Sequence, residues 1–117
     1  MTELLIKSLC ELLPHKTICK DSETDFVGTL GQVDVGFGIV GIKGTNTLNA
    51  GRIPYCKPYL FPLSSMTEEQ KKEYYDKYCQ SDYYALEKFD WYNKNHFDYR
   101  GLIEKGLAID ATGKNIY

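Results

Sequence analysis

The chain has 117 residues, 43% of them hydrophobic and 26% charged, which suits one domain over residues 1–117 that buries somewhat more than ~60% of its unfolded surface and folds without staples. Fourteen Lys and Arg against sixteen Asp and Glu leave a formal net charge of -2, arguing against a nucleic-acid partner held mainly by phosphate contacts. No apolar run approaches the roughly 20 residues of a membrane helix, and Cys10, Cys19, Cys56 and Cys79 lack the spacing or His company of a zinc or redox site, so reduced thiols in a cytoplasmic protein, without metal or cofactor, are expected.

Leu4, Leu5, Leu9, Leu12 and Leu13 recur along one helical stripe that Pro14 ends, predicting an N-terminal helix. Residues 16–20 are β-prone, and a polar turn over Asp21 to Asp25 follows. Val27, Val33, Val35, Phe37 and Ile39 then alternate with Gln32 and Asp34, the period of a half-buried strand with the apolar set on one face. Gly28, Gly31, Gly36, Gly38 and Gly41 should break this stretch into a hairpin with bulges. Arg52 to Leu60 reads as an edge strand, because Pro54 and Pro58 disfavour the sheet centre.

Thr67 and Gln70 make a capping box for a second helix from Glu68 to about Cys79. A third helix is expected from about Asp82 to Phe97, burying Leu86, Phe89, Asn93 and Phe97 or a slightly rotated set. Asp98 should cap a short helix from Tyr99 to Lys105, with Gly106 in the left-handed position of a Schellman end and Leu107 closing it. The fold class is therefore α+β: a small antiparallel sheet of three or four strands, packed with the N-terminal helix and two or three C-terminal helices.

Residues 36–41 match G-x-G-x-x-G, but Ile42 to Thr47 makes a poor helix and no acid follows at ribose-binding distance. A Gly-rich hairpin is the expected structure, with an anion-binding loop using Lys43 or Arg52 as the alternative. His96, Asp98 and Arg100 alternate like acid–base chemistry, yet a helix end accounts for each: His96 on the last turn, Asp98 as cap, Arg100 as a solvated charge. His15 has no evident partner, so no catalytic residue is assigned. Ten of the sixteen aromatics lie between Tyr74 and Tyr99, more than helical stripes can bury. Tyr83, Tyr84, Trp91 and Tyr92 are accordingly candidates for a protein interface or a stacking platform, against the alternative of wet core margins.

Two blocks carry a resemblance. Lys57 to Glu69 reads KPYLFPLSSMTEE, and Asp90 to Ala108 contains DWYN followed by HFDYRGLIEKGLA. Both resemble runs in short uncharacterised proteins of Bacteroides-type gut bacteria and of their phages and mobile elements. That resemblance implies an accessory protein and brings no reaction, ligand or partner with it. Joined to the aromatic surplus, it leads to the expectation of a non-enzymatic protein that binds a host protein, with inhibition of a host defence as one role. Sequestration of a small molecule such as a nucleotide signal, on Tyr or Trp beside Lys43, Arg52 or Arg100, is the second reading. A small enzyme is the third. Self-association is compatible with all three.

Overall fold

The computed structural model describes residues 2–78 and 85–117. Helix α1 (Thr2–Leu12) is followed by a 3-10 turn over Leu13–His15, with Pro14 inside that turn and Lys16 left-handed at its end (φ 53°). Strands β1 (Ile18–Asp21), β2 (Phe26–Asp34), β3 (Ile39–Lys43) and β4 (Leu48–Arg52) form successive antiparallel hairpins. A 3-10 turn over Ile53–Tyr55 leads into β5 (Cys56–Pro62). Helices α2 (Glu68–Tyr78) and α3 (Ala85–Lys94) precede two short strands, β6 (Phe97–Asp98) and β7 (Ile109–Asp110).

The class is α+β, but the sheet is larger than the three or four strands expected, and it is mixed. Its order is β4-β3-β2-β1-β5-β6, with β7 also on β5. Strand β5 is internal: it pairs antiparallel with β1 and parallel with β6 and β7. The expectation of an edge strand fails because of where Pro58 falls in the ladder. The Ser22 N–H to Tyr55 O bond sets a parity in which Tyr55, Lys57 and Tyr59 turn towards β1. Pro58 thus turns its nitrogen to the other side, where pairing with β7 begins only at Tyr59, and no ladder bond is lost.

The single apolar face expected across residues 27–39 is split by a bulge. The β2–β3 register shifts between Leu30 and Gln32, and one extra residue exchanges the faces of everything beyond it. Leu30 before the bulge and Val33 after it both pack at the core with Val40 and Ile42, whereas Val27 is exposed on the outer face, Val35 and Phe37 in the turn after β2, and Ile39 on the outer face of β3.

The inner face curls around α1, whose Leu5, Leu9 and Leu12 pack with Leu30, Val40, Ile42, Ile53, Leu60 and Leu102. Curling brings β4 over the end of β1, so that Asn49 Nδ2 donates to Asp21 Oδ2 at 2.9 Å although two strands separate them in the sheet. Gly51 is required there, since a Cβ would lie 2.7 Å from Cys56 Sγ and 2.8 Å from Asp21 Oδ2.

Several local expectations are met. The capping box forms in both directions, Thr67 N–H to Gln70 Oε1 at 2.9 Å and Gln70 N–H to Thr67 Oγ1 at 3.1 Å. The Schellman closure also forms: Leu107 N–H reaches Leu102 O at 2.9 Å, Gly106 N–H reaches Ile103 O at 3.1 Å, and Gly106 has φ 72°. The helix expected before it does not form. Gly101, left-handed at φ 72°, breaks the segment into turns. Asp98 therefore receives the N–H groups four and five residues on, Leu102 at 2.8 Å and Ile103 at 2.9 Å, rather than those of a regular first turn. Of the set expected to be buried by the third helix, Leu86 and Phe89 are exposed while Asn93 and Phe97 are buried, and Trp91 is buried with them.

Candidate functional site: an exposed apolar hairpin tip

The aromatic set expected to supply a site is largely folded in on itself. Trp91 is only 6% exposed; it stacks on Phe97 with ring centroids 5.6 Å apart and meets Tyr74 at 5.5 Å. Its indole N–H donates to Glu73 Oε1 at 3.2 Å, and that bond, with Lys77, holds the Glu73 carboxyl below its ordinary value. Tyr92 is half-buried, stacked on Tyr99 at 5.1 Å and against Tyr74 at 5.2 Å. The expectation that Trp91 is accessible is corrected: α2 has no buried residues of its own, and this aromatic seam is what attaches it to α3. Tyr83 and Tyr84 lie outside the described residues.

Lys43, Arg52 and Arg100 do not converge. Arg100 is not a solvated charge: its Nη2 binds Glu11 and its Nη1 donates to Ser8 Oγ at 3.1 Å, so it ties the 98–101 turn to α1. Burial pushes the Glu11 carboxyl up, but hydrogen bonds from Arg100 and Tyr99 outweigh it and hold that group below its ordinary value. Burial and the Glu11 carboxylate push the Tyr99 phenol up to about 12. Arg52 grips Glu23 with two guanidinium nitrogens, Nε at 3.0 Å from Oε1 and Nη2 on Oε2. Lys43 lies along the outer face, its stem over Gly31, where a Cβ would come within 2.8 Å of Cε.

The His96, Asp98 and Arg100 alternation also separates. Asp98 holds its turn and Arg100 binds α1, while His96 sits at φ 60° just after α3. Its Nε2 carries a proton and donates to His15 O at 2.9 Å, so the two histidines do meet, through main chain rather than ring to ring. Burial pushes His96 below its ordinary value. Its ring stacks on Tyr117 at 3.8 Å, and the Tyr117 hydroxyl accepts the Ile18 N–H at 2.9 Å and donates to Tyr59 O at 2.7 Å, filling the gap where the β1–β5 ladder opens. The partly open crevice between α1 and the 98–102 turn holds only about 10 Å³, below ligand size. Cys19 and Cys56 are buried, which pushes both thiols up, Cys56 to about 12; neither is a ready nucleophile.

What the fold leaves outside is the β2–β3 hairpin tip. Residues 35–38 form the turn that the G-x-G-x-x-G run was expected to make. Asp34 Oδ1 accepts the Phe37 N–H at 3.1 Å, Gly38 is left-handed at φ 68°, and Gly38 O accepts the Ile53 N–H at 2.9 Å. The turn is thus tied on both sides. It presents Phe37 82% exposed, with Val35 at 55%, Ile39 at 40% and Tyr55 at 42%. Ile39 is cross-strand from Arg52, whose guanidinium carbon lies 5.0 Å over the Tyr55 ring. The result is an apolar and aromatic patch with Asp34 and the Arg52–Glu23 pair at its margin.

Comparison with family models, curated proteins and solved structures gives no match.

The signal for the tip was present in the sequence, as a Phe between two glycines. Alternation assigned Phe37 to a buried face, because the position of the turn at residues 35–38 is not visible in hydrophobic period alone. No helix among the described residues is long and apolar enough to cross a membrane.

Proposed function

We propose that this chain is a non-enzymatic accessory protein of a phage or mobile element, and that it binds a host protein through the hairpin tip centred on Phe37. The accessory role rests on the resemblance of the 57–69 and 90–108 blocks. The binding role rests on one observation: a Phe side chain held 82% exposed by hydrogen bonds on both sides of its turn. Leaving such a side chain in water forgoes roughly 1.5–3 kcal/mol of burial. A tied turn also loses little further freedom on docking. An aromatic anchor with an arginine beside it and a polar margin is the composition of an interface hot spot. Inhibition of a host defence is the role in which such binding would serve a mobile element.

The second reading, sequestration of a nucleotide signal, has less support. Arg52 and Arg100 are each taken by a carboxylate, and Trp91 is not available for stacking.

The test is capture from extract of the native host by wild-type protein and by Phe37→Ser at equal stability. Loss of the captured host protein in the variant, at ~2 kcal/mol or about 30-fold in affinity, is expected. Equal capture by both proteins would refute the tip as the binding surface. A rise in melting temperature with boiled, protein-free extract would favour the small-molecule reading instead.

A further inference from the structure

Strand β4 ends the sheet, and its hydrogen-bond parity can be read from the bonds that bracket it. Gly44 N–H donates to Thr47 O at 2.8 Å and Ile53 N–H to Gly38 O at 2.9 Å. Both bonds lie in register with the pairs running from Ile39↔Arg52 to Lys43↔Leu48. Bonded and non-bonded pairs alternate in an antiparallel ladder, so Asn49 and Gly51 turn their main-chain groups to β3. Leu48, Ala50 and Arg52 turn theirs outward. Among the described residues, none of these outward groups takes part in a main-chain bond to another element.

Exposed edges are ordinarily guarded by lysine, proline or a bulge, because open N–H and C=O groups template pairing with another chain. β4 has none of these. Its register with β3 is unbroken, Pro54 comes only after the strand, and its single charge, Arg52, is neutralised within the chain by Glu23. Leu48 is 63% exposed and Ala50 is exposed beside it on the outer face.

We propose that β4 pairs antiparallel with β4 of a second copy of this chain, about a two-fold axis at Ala50, to give one continuous sheet. Charge and parity select this occupant. The outward residues Leu48, Ala50 and Arg52 are symmetric about Ala50, so every outward N–H and C=O meets its complement. Alanine faces alanine at the axis, and Leu48 faces the apolar stem of Arg52 from the second copy. No like charges are placed opposite one another, which is what destabilises most self-paired edges. The pairing rests on the β4 main chain and not on Phe37, which lies in the turn between β2 and β3, although Arg52 belongs to the margin of both surfaces.

Analytical ultracentrifugation of the full chain across a micromolar concentration range should show a monomer–dimer equilibrium. Ala50→Pro removes the outward N–H at the axis and leaves the bonds to β3 intact; it should shift the dimer dissociation constant by at least tenfold. Ala50→Lys places like charges opposite each other while keeping that N–H, and it should do the same while melting like the wild-type monomer at concentrations below the dimer dissociation constant. Hydrogen exchange supplies the register: Leu48, Ala50 and Arg52 amides should be protected in the dimer and released on dilution, with Asn49 and Gly51 protected throughout. A chain that stays monomeric at every concentration would overturn the proposal, as would a dimer insensitive to both substitutions. Fast exchange of the three outward amides in a dimer would place the interface elsewhere.

Discussion

Removing the Asp98 carboxylate tests how the most structured-looking segment of the chain is held. In the folded protein its two oxygens accept the Leu102 and Ile103 N–H groups at 2.8 and 2.9 Å, and Leu102 is only 2% exposed. Asp98→Ala leaves both donors unpaired next to the core. Stranding a buried donor costs ~1–3 kcal/mol, and the Ile103 bond is the less buried of the two, so a total loss of ~2–4 kcal/mol is expected. At about 4 °C per kcal/mol for a chain of this size, the thermal midpoint should fall by roughly 8–16 °C. Asp98→Asn keeps one acceptor oxygen and should lose about half as much. Calorimetry or circular dichroism melts of the two variants beside wild type make the measurement. A change below about 0.5 kcal/mol for Asp98→Ala, the range of ordinary surface substitutions, would refute the claim that this carboxylate organises the 98–107 turns.

Gly106→Val should cost on the order of 1–2 kcal/mol through backbone strain alone, because φ is 72° and a Cβ there would meet nothing within 4 Å; an unchanged melt would remove the left-handed assignment. Gly51→Ala should cost ~1–3 kcal/mol by overpacking against Cys56 and Asp21, and a neutral result would show that the sheet curls less tightly than described. Trp91 fluorescence should be poorly quenched by acrylamide in the native state and fully quenched after unfolding; strong native quenching would undo its burial at 6% exposure. Because the folded Glu11 carboxyl is held below its ordinary value, its ion pair contributes fully above that ordinary value, near pH 4.3, and the contribution is lost as pH falls through the folded value. Glu11→Gln should therefore flatten the acid limb of stability against pH below about 4.5, and an acid limb identical to wild type would refute that linkage.

The features that sequence determined are those whose partners lie within a few residues. The α1 stripe and its stop at Pro14, the Thr67–Gln70 capping box and the Gly106–Leu107 closure each depend on local main-chain geometry, so a short window contains both halves of every bond. The hairpin over Gly36 to Gly41 was legible for the same reason. Tertiary structure decided what depends on register and closure. One bulged residue at Gly31 exchanged the faces of the long strand, leaving Val27 outside and Val33 on the core, and the turn over residues 35–38 put Val35 and Phe37 in water. The parity of the β1–β5 ladder let Pro58 occupy the interior of the sheet. Arg100 read as solvated because Glu11 and Ser8, which bind it, lie in α1 at the other end of the chain. Trp91 read as available because nothing local shows that Tyr74, Phe97 and Glu73 close around it. The candidate site falls in the second class: a Phe between glycines is visible in the sequence, but whether it faces core or solvent was settled by where the long strand turns and by the Gly38–Ile53 bond that fixes that turn.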